Sequence, residues 1–414
     1  MLTWLIKDGE ILPVQAATRP MRTGMLANEL VERGHSVVWW SSTFSHQRKT
    51  LLYEKDTALE VEPGFQLNLI HAGRYQKNIS LGRYFHHRLL ARRFSEEARE
   101  RPVPNVIVCA FPTIDLAYQA VSYAKRNGVP IIIDIRDLWP DTFLDKSPKF
   151  LKGILRVLLI QDFQRTKELL RNADSLAAIS KGCLIWGLRY ANRHENDDDK
   201  IFYTGYPEEN IGKHEISDRI KAFKQRIEGK IVFTFIGSFG HSYELGLICK
   251  AARRLIQMGL SNIHFALAGD GQQFKSVLRN ARSLPNVSLL GWLDRFEIFD
   301  LLNLSHIGLV PCLSVIDAMP NKPFEYLSAG LPILSSLEGE MEAIMTNHNI
   351  GCSYKSGDID TFLKLIIKLS SDEKLRLQQS YNAIRLFRNK FSSKIIYAAY
   401  ANHVEHIARK KGDR

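Results

Sequence analysis

Short apolar runs alternate with helical patterns along nearly the whole of this 414-residue chain. Runs such as 106–110, 131–135 and 263–268 have the length and the β-branched content of buried strands, and segments with helical periodicity separate them. Such alternation predicts α/β units built around parallel sheets. A chain of this length is long for one domain and suits two domains of about 200 residues each.

The character of the sequence changes between residues 204 and 230, where a turn-rich segment (TGYPEEN) leads into a polar, charged stretch. A second series of strand-like and helical segments begins at Ile231, and the chain ends in a basic, helical segment. We therefore predict an N-terminal domain at residues 1–205, a C-terminal domain at residues 206–385 and a terminal helix at residues 386–414.

The five cysteines stand far apart and form no C-x-x-C pair, which is typical of reduced thiols in a cytoplasmic protein. The adjacent residues His86 and His87 lack the spacing of metal ligands, and we expect both side chains to face solvent. The sequence therefore predicts no metal and no cofactor. Because it contains neither an apolar run of about 18 residues nor a signal-peptide core, we expect a cytoplasmic protein without a membrane span.

The chain carries a formal net charge of +12, which favours an anionic partner. Its basic residues gather in two segments, 74–101 and 146–171, where arginine and lysine are interspersed with large apolar side chains. Basic amphipathic helices of this kind can lie on an anionic membrane surface, but the same pattern fits solvated helix faces over a core. Because no nucleic-acid-binding motif is present, we expect no nucleic-acid partner.

The most informative segment is 320–334, with the sequence PNKPFEYLSAGLPIL. Two prolines and Gly330 bracket a short helix that begins near Lys322 and leads into an apolar strand. The unpaired N–H groups of a first helical turn favour a nearby phosphate, and Lys322 adds a positive charge there. Glu325 could accept hydrogen bonds from two ribose hydroxyls, or it could simply be the acidic residue that first turns prefer.

Asp317 lies eight positions before Glu325. This pair resembles the two-acid E-x7-E pattern of retaining glycosyltransferase family 4, with aspartate in place of the first glutamate. The segment from Lys322 onward resembles the version found in bacterial O-antigen and capsule transferases. Three further segments fit the family in order and extend the resemblance over most of the chain: 22–27 (RTGMLA), 134–140 (DIRDLWP) and 269–271 (GDG).

The resemblance implies an α/β protein of the GT-B fold, with two Rossmann-like domains facing a central cleft and a C-terminal helix that returns to the N-terminal domain. It also implies that Glu325 binds the ribose of a nucleotide sugar, and that Asp317 and the loop after it, including Asn321, face the donor sugar. No nucleophile for a double displacement stands out. The resemblance instead implies a front-face transfer in which the leaving phosphate receives the acceptor proton.

The charge that builds on the departing diphosphate is the main target for catalysis in such a transfer. We predict that Lys322 stabilises it together with the turn that contains Gly237, Ser238 and Gly240, although a plain strand–helix turn would look the same. Many family members have an arginine directly after the first glycine of this turn, where this chain has Ser238. Three more glycines stand after later predicted strands of the C-terminal domain: Gly269, Gly271 and Gly291. They could let the nucleotide approach the backbone closely, or they could serve only to form turns.

The predicted acceptor site lies in the N-terminal domain. Asp137 follows a buried strand and could orient the acceptor or help to deprotonate its hydroxyl, whereas we expect Asp134, inside the strand, to be structural. A loop through Arg19, Arg22 and Gly24 precedes the first long helix, and similar loops border the acceptor site in the family. The two arginines suit a diphosphate-linked acceptor.

These features favour a retaining hexosyl- or N-acetylhexosaminyl-transferase on the inner face of the cytoplasmic membrane. It would move a sugar from a nucleotide-sugar donor, UDP-linked in the first instance, to a polyprenyl-diphosphate-linked glycan of a surface polysaccharide. An alternative is a nucleotide-sugar 2-epimerase of the same fold, whose soluble substrate would not call for basic amphipathic helices. Another is a catalytically silent scaffold protein, which the missing turn arginine would suit.

Overall fold

A computed structural model describes residues 1–14, 19–78, 80–145, 147–208, 212–313 and 319–412. The chain divides into two compact units. The first comprises Met1–Tyr203 together with Tyr397–Arg414, and the second comprises Thr204–Ile396. The last helix thus starts in the second unit and continues as part of the first.

The first unit is built around a sheet of parallel strands. In chain order its strands are β1 (Leu2–Ile6), β2 (Ser36–Ser42), β3 (Phe44–Ser45), β4 (Thr50–Leu51), β5 (Thr57–Glu62), β6 (Phe65–Ile70), β7 (Val106–Phe111), β8 (Ile131–Ile135), β9 (Ser175–Ala178) and β10 (Lys200–Ile201). The sheet has the order β10-β9-β8-β7-β1-β2-β6-β5, and only the edge strand β5 runs antiparallel to its neighbour. Strands β3 and β4 form a separate antiparallel pair.

Helices cover this sheet and supply its core. They are α1 (Arg22–Glu32), α2 (Leu81–Glu97), α3 (Ile114–Arg126), α4 (Asp141–Asp145), α5 (Lys152–Leu158), α6 (Ile160–Arg171) and α7 (Lys181–Ala191). One large core joins apolar residues of α2, α3, α6 and α7 to those of the central strands. Strands β7 and β8 are buried along their whole length, which explains why they read as continuous apolar runs rather than as an alternation.

The second unit contains a second sheet, in which every pairing is parallel. Its strands are β11 (Ile231–Ile236), β12 (Ile263–Ala268), β13 (Val287–Gly291), β14 (Ile307–Val310), β15 (Ile333–Ser335) and β16 (Gly351–Ser353). Their order is β13-β12-β11-β14-β15-β16. The chain therefore reverses its direction of winding between β11 and β14, and in open α/β sheets ligands bind beside the carboxyl ends of the strands at such a switch point.

The remaining helices follow the strands of the second unit. They are α8 (Asp218–Arg226), α9 (Leu245–Gln257), α10 (Phe274–Ala281), α11 (Arg295–Asn303), α12 (Lys322–Ser328), α13 (Glu340–His348), α14 (Ile359–Ser371), α15 (Glu373–Leu386) and α16 (Ser393–Gly412). The short helix predicted at Lys322 is α12, and Gly330 ends it with a φ of 69°.

Two local predictions are wrong. Helix α1 already begins at Arg22, because the carboxylate of Glu10 accepts the N–H groups of Thr23 and Gly24 at 2.7 and 3.3 Å and so caps the helix from a distant segment. The segment with Arg22 and Gly24 is therefore the first turn of the helix and not a loop before it.

His86 and His87, which were expected to face solvent, are 2% and 8% exposed. Both lie on the inner side of α2 with Leu90 and Phe94, which belong to the core. The ring of His86 makes one hydrogen bond, from Nδ1 to the carbonyl oxygen of Gly73 at 3.2 Å, while Nε2 lies 3.5 Å from Asp8 without forming a hydrogen bond.

Candidate functional site

Glycine turns meet at the carboxyl edge of the second sheet. Gly237, Gly269 and Gly271 follow β11 and β12 and have φ values of 127°, 137° and 147°. A Cβ atom on Gly269 would overlap the carbonyl oxygen of Gly237, and one on Gly271 would lie 3.0 Å from the nitrogen of Phe239. These positions therefore require glycine for conformation as well as for space, because the two loops pack backbone against backbone.

Backbone hydrogen bonds join these turns into one edge. Gly237 N–H donates to Ala268 at 2.9 Å, and Gly269 N–H donates to Gly291 at 2.7 Å, so the structure brings Gly237, Gly269 and Gly291 together. Within the described ranges, the N–H groups of Ser238 and Gly240 have no acceptor. The exposed turn thus presents two backbone donors, which suits the oxygens of a phosphate.

Lys322 points at this turn. A Cβ atom on Gly237 would lie 2.8 Å from its Nζ, which places the amine directly beside the turn. Nζ also lies 4.0 Å from the ring centre of Tyr243 and 5.0 Å from that of Phe235. In the part of the chain that the structure describes, no carboxylate pairs with Lys322.

The environment of Lys322 is costly for a charge. Its side chain is 9% exposed, and burial lowers its pKa to about 8, although Glu325 and Cys312 act in the opposite direction. A buried ammonium that, among the described residues, contacts aromatic rings and pairs with no carboxylate is suited to bind an anion as its counter-charge.

Glu325 lies one turn further along α12 and is half-buried. The hydroxyl of Tyr206 donates to its Oε1 at 2.8 Å, and its N–H donates to the carbonyl of Asn321 at 3.2 Å. Sequence reasoning missed Tyr206, because it lies in a turn-rich segment more than 100 residues away and only the fold brings it to α12. Tyr206 thus helps to fix the rotamer of the carboxylate.

Asp317 lies outside the described residues, so its predicted role at the donor sugar stays a prediction.

In the first unit, the carboxylate of Asp137 closes the turn after β8. Its Oδ1 accepts from the N–H of Leu138 at 2.7 Å and from the hydroxyl of Thr142 at 3.1 Å. Its Oδ2 accepts from the indole N–H of Trp139 at 3.1 Å. Asp137 is exposed, and its carboxylate is already oriented by three local donors, while its predicted role toward the acceptor remains a prediction.

Arg22 has a different environment from the one expected of an acceptor ligand. Its Nε and Nη2 form a bidentate pair with Asp134 at 2.9 and 2.8 Å, and Nη1 donates to the carbonyls of Phe202 and Tyr203 at 2.7 and 3.1 Å. The side chain is 4% exposed. Four donors are thus bonded inside the protein, which is the geometry of a structural arginine. Arg19 is half-buried just before α1.

A buried network surrounds this pair, and sequence analysis did not predict it. Arg136 donates to Asp134 at 2.8 Å and to Glu10 at 2.7 Å, and its other nitrogen donates to the hydroxyl of Thr23. Although burial acts against it, the guanidinium groups of Arg22 and Arg136 hold the pKa of Asp134 well below its usual range. Asp134 was expected to be structural, and it is the centre of this network.

Comparison with known proteins agrees with this architecture. Residues 217–386 match the family model described as glycosyl transferases group 1, so most of the second unit corresponds to a domain of that family. No curated protein sequence matches the chain.

Solved structures resemble the chain over its full length. Sucrose-phosphate synthase from Thermosynechococcus elongatus has a TM-score of 0.77 at 12% identity, with 98% of each chain covered. HepE from Anabaena, in complex with UDP-glucose, has a TM-score of 0.65 at 14% identity, with 100% of each chain covered. WaaG, a glycosyltransferase involved in lipopolysaccharide biosynthesis, has a TM-score of 0.66 at 13% identity and covers 98% of this chain and 99% of its own.

These likenesses and the two parallel sheets confirm the predicted fold class, which is GT-B with two Rossmann-like domains. In the described ranges, no helix combines the length and the apolar character that crossing a membrane requires.

Proposed function

We propose that this protein is a retaining glycosyltransferase that takes its sugar from a nucleotide-sugar donor, in the first place a UDP-sugar. The observation that carries the proposal is the buried ammonium of Lys322 beside the Gly237 turn, at the switch point of a group 1 glycosyltransferase domain. The structures of HepE with UDP-glucose and of a trehalose-6-phosphate enzyme with UDP-2-fluoro glucose support UDP as the carrier.

The donor's diphosphate would lie against the Gly237 turn. There the N–H groups of Ser238 and Gly240 and the ammonium of Lys322 would bind its oxygens. As the bond to the sugar breaks, negative charge grows on the diphosphate, and these preorganised groups stabilise it most strongly at that moment. Glu325, held by Tyr206, would accept hydrogen bonds from the ribose hydroxyls. The acceptor proton would pass to the leaving phosphate, and Asp137 and Asp317 are the carboxylates that we assign to orienting the substrates. No step of this scheme uses a metal or a cofactor.

The direct test is a panel of nucleotides and nucleotide sugars in a thermal-shift assay, followed by a hydrolysis assay with those that bind. A ligand that binds only the folded state raises the melting temperature with its concentration. We expect UDP and at least one UDP-sugar to stabilise the protein and that sugar to be released slowly in the absence of acceptor. Binding without any sugar release would favour a scaffold, and a change of the donor's own sugar would favour an epimerase.

We further propose that the acceptor is a polyprenyl-diphosphate-linked glycan of a surface polysaccharide and that the protein acts on the inner face of the cytoplasmic membrane. The support is a set of exposed apolar side chains in the first unit, which we call the apolar surface. It includes Leu81 and Phe85 on α2 and a run around α5, and their side chains are between 53% and 79% exposed: Leu81, Phe85, Phe150, Ile154, Val157, Leu158 and Ile160.

The two parts of the apolar surface lie on helices that are connected through α3 and α6, because α5 packs on α6. Helix α3 packs on both α2 and α6 in one core. Burial raises the pKa of Asp162 on α6, and Arg88 on α2 lies near enough to reduce that rise. Exposed basic residues stand beside the apolar side chains, among them Arg88, Arg92 and Lys149. Basic residues near an anionic membrane contribute about 1 kcal/mol each, and that attraction falls with salt.

Liposome sedimentation tests this second proposal. We expect binding to anionic vesicles at low salt, little binding to neutral vesicles, and release as salt rises. A variant with serine at Arg88, Arg92, Lys149 and Lys152 should lose this binding, whereas serine at four exposed basic residues of the second unit should not: Lys250, Arg253, Lys275 and Arg279. Arg93 is left unchanged because it pairs with Asp56. Equal binding of both variants would mean that these helices are solvated faces over a core.

A further inference from the structure

A second group of positive charges lies at the carboxyl edge of the first sheet. Lys7 follows β1, Lys49 stands between β3 and β4, and Arg83 lies in the first turn of α2. We call these three residues the basic cluster. Burial lowers the pKa of both lysines, and repulsion from Arg83 acts in the same direction. At Lys7, Arg136 also lowers the pKa, while Glu10 and Asp8 oppose the shift.

Aromatic and imidazole rings contact two members of the basic cluster, Lys49 and Arg83. Nζ of Lys49 lies 4.9 Å from the ring centre of Tyr75, and Cζ of Arg83 lies 5.9 Å from the same ring and 4.8 Å from that of Trp139. The hydroxyl of Tyr75 and Nζ of Lys49 lie 2.6 and 3.3 Å from Nδ1 of His46. Because an ammonium can only donate, Nδ1 accepts, and the neutral ring carries its proton on Nε2, which is a further donor.

Among the described residues, the basic cluster makes no ion pair. In the described ranges no carboxylate lies within 4.0 Å of its charged nitrogens, and the buried Nε of Arg83 has no hydrogen-bond partner. The carboxylate of Asp8 is close by but accepts from Ser42 at 2.6 Å and contacts His86. Other arginines of the first unit, such as Arg136 and Arg165, have carboxylate partners.

Lys49 also has an unusual backbone. Its φ is 57°, in the left-handed region that a residue with a side chain seldom adopts. Its Nζ donates to the side-chain oxygen of Asn78 at 2.6 Å, and Arg83 lies near enough to add to the lowering of its pKa by burial. Residues in such conformations persist where the surrounding structure holds them, and they are common at ligand sites.

A bound anion stabilises positive charges that lie close together, and it can accept a hydrogen bond from a donor that has no other partner. A phosphate ester has several oxygens, so three separate cations can bind it at once. We propose that the basic cluster binds the phosphate or diphosphate ester of the acceptor. This inference rests on the proposed function and moves the acceptor's charged group away from Arg22, whose donors are bonded internally. Leu81 and Phe85 of the apolar surface lie on the same helix as Arg83, at 76% and 63% exposure, which suits an ester with an apolar chain.

The test measures binding of inorganic pyrophosphate, farnesyl diphosphate and glucose 6-phosphate to the full chain by calorimetry, with UDP measured in parallel. The double variant Lys49→Gln and Arg83→Gln removes two charges from the basic cluster. Its matched control, Arg99→Gln and Arg101→Gln, removes two exposed charges from the neighbouring sequence. Lys49→Gln alone serves as a milder variant, and thermal melting checks that each protein is folded.

We expect the double variant to weaken pyrophosphate and farnesyl diphosphate at least tenfold and Lys49→Gln to weaken them less, while UDP binding and the control variant stay as wild type. Tighter binding of farnesyl diphosphate than of glucose 6-phosphate supports a lipid-linked acceptor, and the reverse supports a soluble sugar phosphate at the same subsite. Equal losses in the double variant and the control, or no binding of any of the three anions by a wild type that binds UDP, overturn the inference alone. A wild type that binds farnesyl diphosphate but no nucleotide would instead overturn the proposed donor site.

Discussion

Arg22 and Lys322 are two buried cations that were predicted from the sequence to bind ligands, and they differ in the groups that surround them. Arg22 makes a bidentate pair with Asp134 and donates to two carbonyls. Lys322 lies against the rings of Tyr243 and Phe235 and beside Gly237, and no carboxylate in the described ranges pairs with it. The exposed fractions, 4% and 9%, are nearly the same.

Burial therefore does not separate a structural cation from a binding one, whereas the set of partners does. A buried charge whose donors are all used inside the protein stabilises the fold around it. A buried charge without a counter-ion raises the energy of the free protein, and an anionic ligand recovers that energy on binding. The two residues should consequently respond in opposite ways to the same substitution.

The largest effect is expected on stability, from Arg22→Met. The change leaves Asp134 with Arg136 only and removes the donor from the carbonyls of Phe202 and Tyr203. Breaking a buried pair on one side costs about 3–5 kcal/mol, so the first unit should melt at a clearly lower temperature. Lys322→Met should leave the melting temperature unchanged or raise it. Wild-type stability of Arg22→Met, with a raised KM for the acceptor, would return Arg22 to the binding residues.

The next effect is on turnover, from Lys322→Ala. Removing one group that stabilises a developing negative charge typically costs about 10²–10³ in kcat. Affinity for UDP should fall less, because the charge matters most as the diphosphate departs. Lys322→Arg should restore part of the rate, since the two cations differ in shape. Lys275→Ala, an exposed lysine of the same unit, is the control, and a wild-type rate for Lys322→Ala would assign the leaving-group charge to another residue.

The same contrast shows how much the sequence could reveal. The donor side is local: Lys322 and Glu325 lie in one short helix, and the glycines that meet them follow apolar strands, so motif and spacing predict both. Gly237, Gly269 and Gly271 could be identified because their turns need conformations that other residues seldom adopt.

The first unit was less predictable because its polar groups are paired across long stretches of sequence. Glu10 caps α1 and also accepts from Arg136, which is 126 residues away. Nothing local to Arg22 indicates that Asp134 will neutralise it, and nothing local to His86 indicates that Asp8 will lie beside it. Periodicity predicted strands and helices of this unit, but contacts between residues far apart in the sequence determine which charged side chains form ion pairs.

A smaller effect on donor affinity is expected from Glu325→Gln. The loss of charge-assisted hydrogen bonds to the ribose would weaken UDP about ten- to a hundred-fold, equivalent to about 1.5–3 kcal/mol. Tyr206→Phe removes only the hydrogen bond that orients the carboxylate and should cost less, on the order of 1 kcal/mol. Calorimetry with UDP measures both, with the exposed Glu373→Gln as a control. Unchanged affinity in a folded Glu325→Gln protein would remove Glu325 from the donor site.

The smallest effect is a dependence of UDP affinity on pH. Burial lowers the pKa of Lys322 to about 8 in the free protein, so its ammonium is present below that pH and is lost above it. A bound diphosphate favours the charged form, and binding above pH 8 must therefore include uptake of a proton. The phosphates of UDP are already ionised there, and burial raises the pKa of Cys312 to about 11, so neither titrates near pH 8.

We therefore expect UDP affinity to be constant from pH 7 to about pH 7.5 and to fall by at most about tenfold per pH unit above pH 8. Calorimetry in two buffers of different ionisation enthalpy would measure the proton uptake directly, and Lys322→Arg should abolish it because arginine stays charged. The effect of pH on the free energy of unfolding has the opposite sign. Since the folded pKa lies below the ordinary 10.5, the unfolded chain binds more protons between about pH 8 and 10.5, and the contribution of Lys322 to stability rises with pH in that window. If the affinity of the wild type for UDP did not change with pH, the amine of Lys322 would not lie at the diphosphate. Lys322 and Arg22 would then differ only in how their side chains pack.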